Sequence, residues 1–340
     1  LGGIAQNTLY RFRMDEGEAF ADPCSRYQPH GVFGPSCVVD PTDFCWSDEH
    51  FAPPPLRELV IYELHVGTFT PAGTFAAVRE KLTYLHDLGI GAIELMPVHD
   101  FPGRWNWGYD CAALFAPSRA YGTPNELRAL VDAAHKLGIS VLMDVVYNHF
   151  GPSGAFAPAF SQQFFSARHH TAWGQAINLD GPGSDLVRAF FVQHACQWLQ
   201  EYHIDALRLD ATGALRDEGP KHFLQQLSES VAALPGPPRL LIAEDPRNLA
   251  RLVWPRKQGG YGLDGIWVDD FHHQMHVTLT GESAGYYRDY TPGAGGLAQC
   301  IRRNWLYCGQ HSAHWQRPRG TEPLGVQPEH AVICLQNHDQ

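Results

Sequence analysis

Basic residues are scarce. The 340-residue chain has 25 Lys and Arg against 36 Asp and Glu, a formal net charge of −11. It has no run of like positive charge, so the electrostatic footprint of a nucleic-acid or anionic-membrane binder is missing, while a neutral substrate is compatible with this balance. No apolar run approaches the roughly 20 residues needed to cross a bilayer, and no signal-peptide pattern is read in these residues. The eight cysteines, Cys24 to Cys334, form no CxxC pair. That spacing fits neither a zinc ribbon nor a disulfide framework and favours reduced thiols in the cytoplasm. Nineteen histidines are present without an HExxH; His272 and His276 are four apart, and His169-His170 has no ligand set nearby in sequence. Neither a metal nor a cofactor is therefore expected. His65-Val66-Gly67-Thr68, after the first long strand, is not a phosphate-binding glycine loop, which argues against a dinucleotide-dependent oxidoreductase. Internal repeats are lacking too.

What the chain does have is rhythm. Leu9 to Arg13 alternates as a strand, and residues 21–57 are rich in Pro, Gly and Asp, closing on Pro53-Pro54-Pro55. Residues 1–57 thus look like the end of a small β-domain and a linker. From residue 58 strands and helices alternate. Strands are expected at Leu59–His65, Ala92–Met96, Val141–Val146, Ala206–Leu209, Leu240–Ala243, Gly265–Val268 and Val332–Leu335. Between the first two, Phe75, Val78, Leu82, Leu85 and Leu88 mark an amphipathic helix ending at Gly89. A second helix starts at Pro124 and stops at Gly138, and Ser184 is placed as the N-cap of a third. Apolar strands alternating with helices mean a parallel sheet buried on both faces. The expected fold is α/β, a (β/α)8 TIM barrel truncated near its seventh strand, with a short insertion at about 150–180; a doubly wound sheet is the weaker alternative.

Catalytic groups of such a barrel sit at the C-terminal ends of its strands. Those ends carry Asp144 to His149, Arg208 to Asp210, Glu244-Asp245, Asp269-Asp270 and Asn337 to Asp339. Five strand ends deliver carboxylates to one rim, with Arg208 as the only cation in these motifs. Glycoside hydrolysis needs such a pair, about 5–5.5 Å apart for retention and about 6.5–9.5 Å for inversion, with their pKa values split by environment. Asp210 lies two residues after Arg208, on the same strand face, so the guanidinium would keep it ionised as a nucleophile. Glu244 follows an apolar run with no adjacent cation, which suits an acid with a raised pKa. Asp339 is a third carboxylate, able to bind sugar hydroxyls. His149 and His338 read as neutral donors to hydroxyls, and Trp107 and Tyr109 offer faces on which a sugar can stack.

DVVYNH (144–149), DALRLDAT (205–212), AED (243–245) and NHD (337–339) resemble, in order, the four signature regions of the α-amylase superfamily. The resemblance implies Asp210 as nucleophile, Glu244 as acid/base and Asp339 as transition-state stabiliser. Arg208, His149, His338, Asp144 and Tyr109 would complete the subsite around the cleaved sugar. IYELHVGTFTPAGTF (61–75), WGYD (107–110), AEDPRN (243–248), WVDDFHHQMHVTLTGESAGYY (267–287) and QNHDQ (336–340) are similar to the malto-oligosyltrehalose trehalohydrolases within that superfamily. These cleave the α-1,4 bond next to a terminal trehalose, so the implied partner is maltooligosyl trehalose or a related α-glucan.

Two alternatives remain. One is a 1,4-α-glucan branching enzyme, disfavoured by Ala211-Thr212, Asp245 and Asn337; the other is an inactive α-glucan-binding protein, disfavoured by the three intact carboxylates. Leaving-group recognition is assigned to Asp269, Asp270, Phe271 and His272, with Glu282 and Tyr286 as weaker candidates. Many amylases bind calcium through the residue equivalent to Asn148, but the acid-poor insertion after it argues against calcium here. The family also implies an N-terminal β-sandwich, an eighth strand and a C-terminal β-domain, so residues 1–340 alone are expected to be unstable or inactive.

Overall fold

The computed structural model describes residues 3–340. Seven strands form one sheet: β1 (Ile61–Leu64), β2 (Ala92–Leu95), β3 (Ser140–Val146), β4 (Ala206–Asp210), β5 (Leu240–Glu244), β6 (Gly265–Trp267) and β7 (Ala331–Val332). Each pairs in parallel with its neighbours in sequence, and the order runs β7-β6-β5-β4-β3-β2-β1. A doubly wound sheet would reverse direction part-way across; this one does not. The sheet also curls, because His338, just after β7, reaches Glu63 on β1 although the two strands do not pair. Between these edges lies a groove of about 810 Å³ lined by Val60, Ile61, Trp267, Ile333 and Leu335.

Helices cover the outside of the sheet. Their buried faces follow the apolar spacing: Phe75 and Val78 on α1 (Phe75–Arg79), Leu82 and Leu85 on α2 (Leu82–Asp87), and Leu127, Leu130, Val131 and Ala134 on α3 (Pro124–Lys136). α3 starts with a capping box, in which the Thr123 hydroxyl accepts from the Glu126 N–H and the Glu126 carboxylate accepts from the Thr123 N–H. Three further helices follow: α4 (Ser184–Glu201), α5 (Phe223–Ala232) and α6 (Asp269–Thr280). Another, α7 (Ala294–Arg303), precedes β7.

Several sequence expectations need correction. The single helix over 75–88 is two, broken at Glu80 and Lys81, and Leu88 points to solvent at 59% exposure. Gly183, not Ser184, is the N-cap of α4; its φ of +75° is a conformation that glycine adopts without strain. The last strand is Ala331–Val332, not Val332–Leu335; at the sheet edge Ile333 and Leu335 are 48% and 69% exposed and find no ladder. Leu9 to Arg13 is split, Leu9–Tyr10 pairing with Ser36–Cys37 and Phe12–Arg13 with Ala19–Phe20.

The 41–57 segment is tied to the underside of the barrel. Asp48 Oδ2 lies 2.8 Å from both His135 Nδ1 and His203 Nδ1, and His135 Nε2 reaches Asp205 at 3.0 Å. Trp46 stacks on His203 and Phe51 on His135. The eight cysteines are free thiols. Among the described residues no helix is long and apolar enough to cross a membrane.

Candidate active site

The C-terminal ends of β3, β4 and β5 deliver Asp144, Arg208, Asp210 and Glu244 to one rim. Arg208, Asp144 and the core beneath are almost fully buried. Arg208 Nη1 lies 2.8 Å from both Asp144 Oδ2 and Asp210 Oδ1, while its Nη2 is 3.9 Å from Glu244 Oε2. One guanidinium therefore touches all three acids. The second oxygen of Asp210 accepts from the Asn148 amide at 3.0 Å. Ala211 follows at φ +40°, ψ +50°, an unusual conformation for a residue with a Cβ. That turn directs its N–H to Glu244 Oε2 at 2.7 Å.

The acids differ in environment. Burial pushes Glu244 up to about 8, against the opposing pull of Arg208. Burial likewise raises Asp144 to about 7. Asp210 takes one donor from the guanidinium at 2.8 Å and another from the Asn148 amide at 3.0 Å.

The loops close the site. Tyr109 Oη donates to Asp144 Oδ2 at 2.6 Å and meets His338 Nε2 at 2.7 Å. The two rings stack with centroids 5.2 Å apart. His149 sits between the Tyr109 carbonyl and Asn148, and burial lowers its pKa, keeping it neutral. His338 departs from expectation. Burial works against its charge, but the hydrogen bond and charge of Glu63 outweigh that and raise its pKa. The resulting cleft, about 610 Å³, is lined by Asp210, Glu244, Asp339, Tyr109, His149 and His338.

Other sequence candidates fall elsewhere. Trp107 lies in an adjoining groove of about 290 Å³ with Trp105 and Met96, edge-on to His338 at 6.2 Å. Asp269, raised to about 6 by burial, lies near enough to the site to feel Arg208 and Asp339 but is not among the residues that line the cleft. Asp270 is fully buried, one oxygen held by Arg319 (2.9 Å) and Tyr290 (2.7 Å), the other by Asn248 and the N–H groups of Leu306 and Tyr307. Phe271 is half-buried outside the cleft, and His272 is buried against His273 and His276. Glu282 pairs with His276, and Tyr286 reaches Gln340.

His169 is also corrected, since Asp180 and Glu218 lie beside it. Asp180 Oδ2, however, already accepts from Arg168 (2.8 Å) and from the Glu218 N–H (2.9 Å). The Asn148 side-chain amide donates to Asp210.

Sequence reasoning missed the aromatic and cationic lining. Trp173 lies at the turn of a hairpin (Phe165–Thr171 with Gly174–Ile177) and stacks on His149 at 5.1 Å and 11°. Trp315, Arg216, Arg247 and Arg317 complete the opposite wall. Glu63 and Glu94 were missed as well, though an acid inside each of two apolar strands (IYEL and AIEL) was a visible signal.

Residues 41–183 match the Alpha-amylase family, described as "Alpha amylase, catalytic domain". Over those residues the chain is similar to that catalytic domain. It is 46% identical over 339 residues to the malto-oligosyltrehalose trehalohydrolase of Deinococcus radiodurans, covering 99% of this chain and 55% of that protein. It is 42% identical over 340 residues to the protein of that name from Saccharolobus solfataricus, covering 100% and 60%. A crystal structure of an alpha-amylase-like protein from Salmonella typhimurium superposes with a TM-score of 0.93 at 39% identity, covering 100% of this chain and 58% of that one. The chain thus spans between 55% and 60% of the length of these relatives.

Proposed function

We propose that this chain carries the catalytic centre of a retaining glycosidase. In this reading it cleaves the α-1,4-glucosidic bond next to the terminal trehalose of maltooligosyl trehalose. The observation that carries it is the pair Asp210 and Glu244 on one guanidinium, Asp210 at 2.8 Å from it and Glu244 at 3.9 Å with its pKa raised by burial, as an acid requires. The printed name of the relatives above supports the choice of leaving group.

Asp210 attacks the anomeric carbon while protonated Glu244 gives its proton to the departing glycosidic oxygen, and trehalose leaves. The Ala211 N–H steadies the carboxylate that remains. Glu244 then takes a proton from water, the resulting hydroxide attacks the anomeric carbon, and Asp210 is freed. Asp339, His338, His149 and Tyr109 bind the hydroxyls of the reacting sugar, and Trp173 and Trp315 give faces to the flanking ones. In the same reading residues 1–57 end an N-terminal β-sandwich, and residues 58–340 belong to the barrel.

Product analysis of the intact protein with maltooligosyl trehalose, beside its Asp210→Asn variant, tests this. Free trehalose from the wild type alone is expected. New α-1,6 branches in place of trehalose would convert the reading to a branching enzyme, and no turnover by the wild type would end it.

A further inference from the structure

His338 is held by groups on four sides. Glu63 on β1 accepts from its ring Nδ1 at 2.9 Å and from its backbone N–H at 2.8 Å, both on the same oxygen. Tyr109 meets Nε2 at 2.7 Å, and Asp339 Oδ2 lies 3.4 Å from the same nitrogen. Arg208, behind Asp144, is the cation that opposes a charge on the ring. Trp107 covers the remaining edge.

The hydrogen-bond directions fix the charge of the ring. Tyr109 has one phenolic proton, and its 2.6 Å contact to Asp144 Oδ2 uses it, because that oxygen is the one on which Arg208 also converges. The Tyr109 oxygen must then accept from His338 Nε2. At the other nitrogen the Glu63 oxygen already accepts a backbone N–H and takes a second donor from the ring. Both ring nitrogens donate, which only an imidazolium can do.

Glu63 is free to be that anion because of its neighbour. Glu94 stands directly opposite Glu63 in the β1–β2 ladder. Both of its oxygens are buried without a hydrogen-bond partner. Two facing carboxylates do not both ionise in such a place, and burial holds Glu94 neutral. The two acids therefore divide the roles, Glu94 packed without a partner and Glu63 bonded to His338.

We propose that Glu63 is a positioning residue that keeps His338 as an imidazolium in the catalytic cleft, presenting a fixed cation beside Asp339 and a one-way chain of donors through Tyr109 to Asp144. This rests on the glycosidase reading for its catalytic consequence but not for the charge itself. A charged ring binds sugar hydroxyls more strongly than a neutral one.

The experiment has two arms, both on the intact protein. In the first, long-range 1H–15N correlation spectra of 15N-histidine-labelled Asp210→Asn protein are followed with pH, the His338 signals being those lost in an added His338→Gln change. At pH 7 both ring nitrogens are expected to be protonated, and adding Glu63→Gln should turn the ring neutral at that pH. A neutral His338 at pH 7 with Glu63 in place overturns the proposal, whatever the enzyme's activity. In the second, the alkaline limb of kcat/KM is compared between wild type and Glu63→Gln. A shift of one pH unit or more to lower pH, partly restored by Glu63→Asp, supports the proposal. An equal loss at every pH with an unmoved limb marks Glu63 as merely structural and overturns it. If Glu63→Gln does not fold, the first arm on the Glu63-containing protein still decides. If the glycosidase reading fails, the spectra still stand.

Discussion

The Ala211 N–H donates to Glu244 Oε2 at 2.7 Å from a backbone held at φ +40°. The residue after one carboxylate thus positions the other through a conformation that costs about 1 kcal/mol or more for a side chain bearing a Cβ. Replacing it with a β-branched residue sharpens that cost. Ala211→Val should lower stability by roughly 1–3 kcal/mol and reduce kcat more than it raises KM. Denaturant midpoints and steady-state kinetics check both; an unchanged kcat would separate the turn from the chemistry.

Glu244 sets the pH behaviour. With its pKa near 8 it remains protonated at neutral pH, so kcat/KM should fall above about pH 8. Its folded pKa lies above the unfolded value, so ionising it costs stability. That cost is absent below the unfolded pKa of 4.5 and grows as pH rises toward 8. Glu244→Gln should therefore abolish turnover while raising Tm over wild type, with a gain that is larger at pH 8 than at pH 5. Thermal scans at the two pH values give the answer, and a gain independent of pH would contradict it.

Asp270 anchors the structure. Removing its charge leaves Arg319, which lies 2.9 Å away, buried without its partner. Breaking such a pair costs about 3–5 kcal/mol. Asp270→Ala should destabilise by that order and loosen residues 285–325, as read by urea unfolding and hydrogen exchange. A stable variant altered only in leaving-group preference would restore the substrate-binding role read from the sequence.

Trp173 is expected to act on binding. Its ring lies over His149 at the mouth of the cleft. Trp173→Ala should raise KM by roughly 5- to 30-fold, about 1–2 kcal/mol of lost burial, with kcat little changed. Equal losses in kcat and kcat/KM would mean instead that the ring acts only in the transition state.

The histidine clamp beneath the barrel has the opposite sign to Glu244. Burial disfavours charge on His135, yet Asp205 and Asp48 together raise its pKa above the ordinary 6.5. Its contribution is full below pH 6.5 and fades as pH rises through the folded value. The Tm difference between wild type and His135→Gln should accordingly shrink from pH 6 to pH 9; a difference that grew would reverse the assignment.

Much of this molecule was legible because parallel strands buried on both faces write themselves as apolar runs, and because their polar ends stand out against them. β3 to β5 and the residues Asp144, Arg208, Asp210 and Glu244 were readable for that reason. What failed to show was anything set by tertiary neighbours. Asp269 and Asp270 are adjacent in sequence, but the helix they begin leaves one near the acids of the cleft and turns the other into the core. Trp173 and Trp315 lie in short hairpins whose path no periodicity encodes. Glu63, the partner that raises the His338 pKa, lies 275 residues earlier, beyond the reach of any local pattern.

That separation bears on how the protein is made. A contact spanning 275 residues cannot form until nearly all of these strands have been synthesised, and such long loops close late and slowly. Asp210 and Glu244 meet Arg208 through local strand pairing well before His338 arrives to complete the ring of groups around them. A nascent chain therefore carries Asp210 and Glu244 in place on Arg208 before His338 can dock on Glu63.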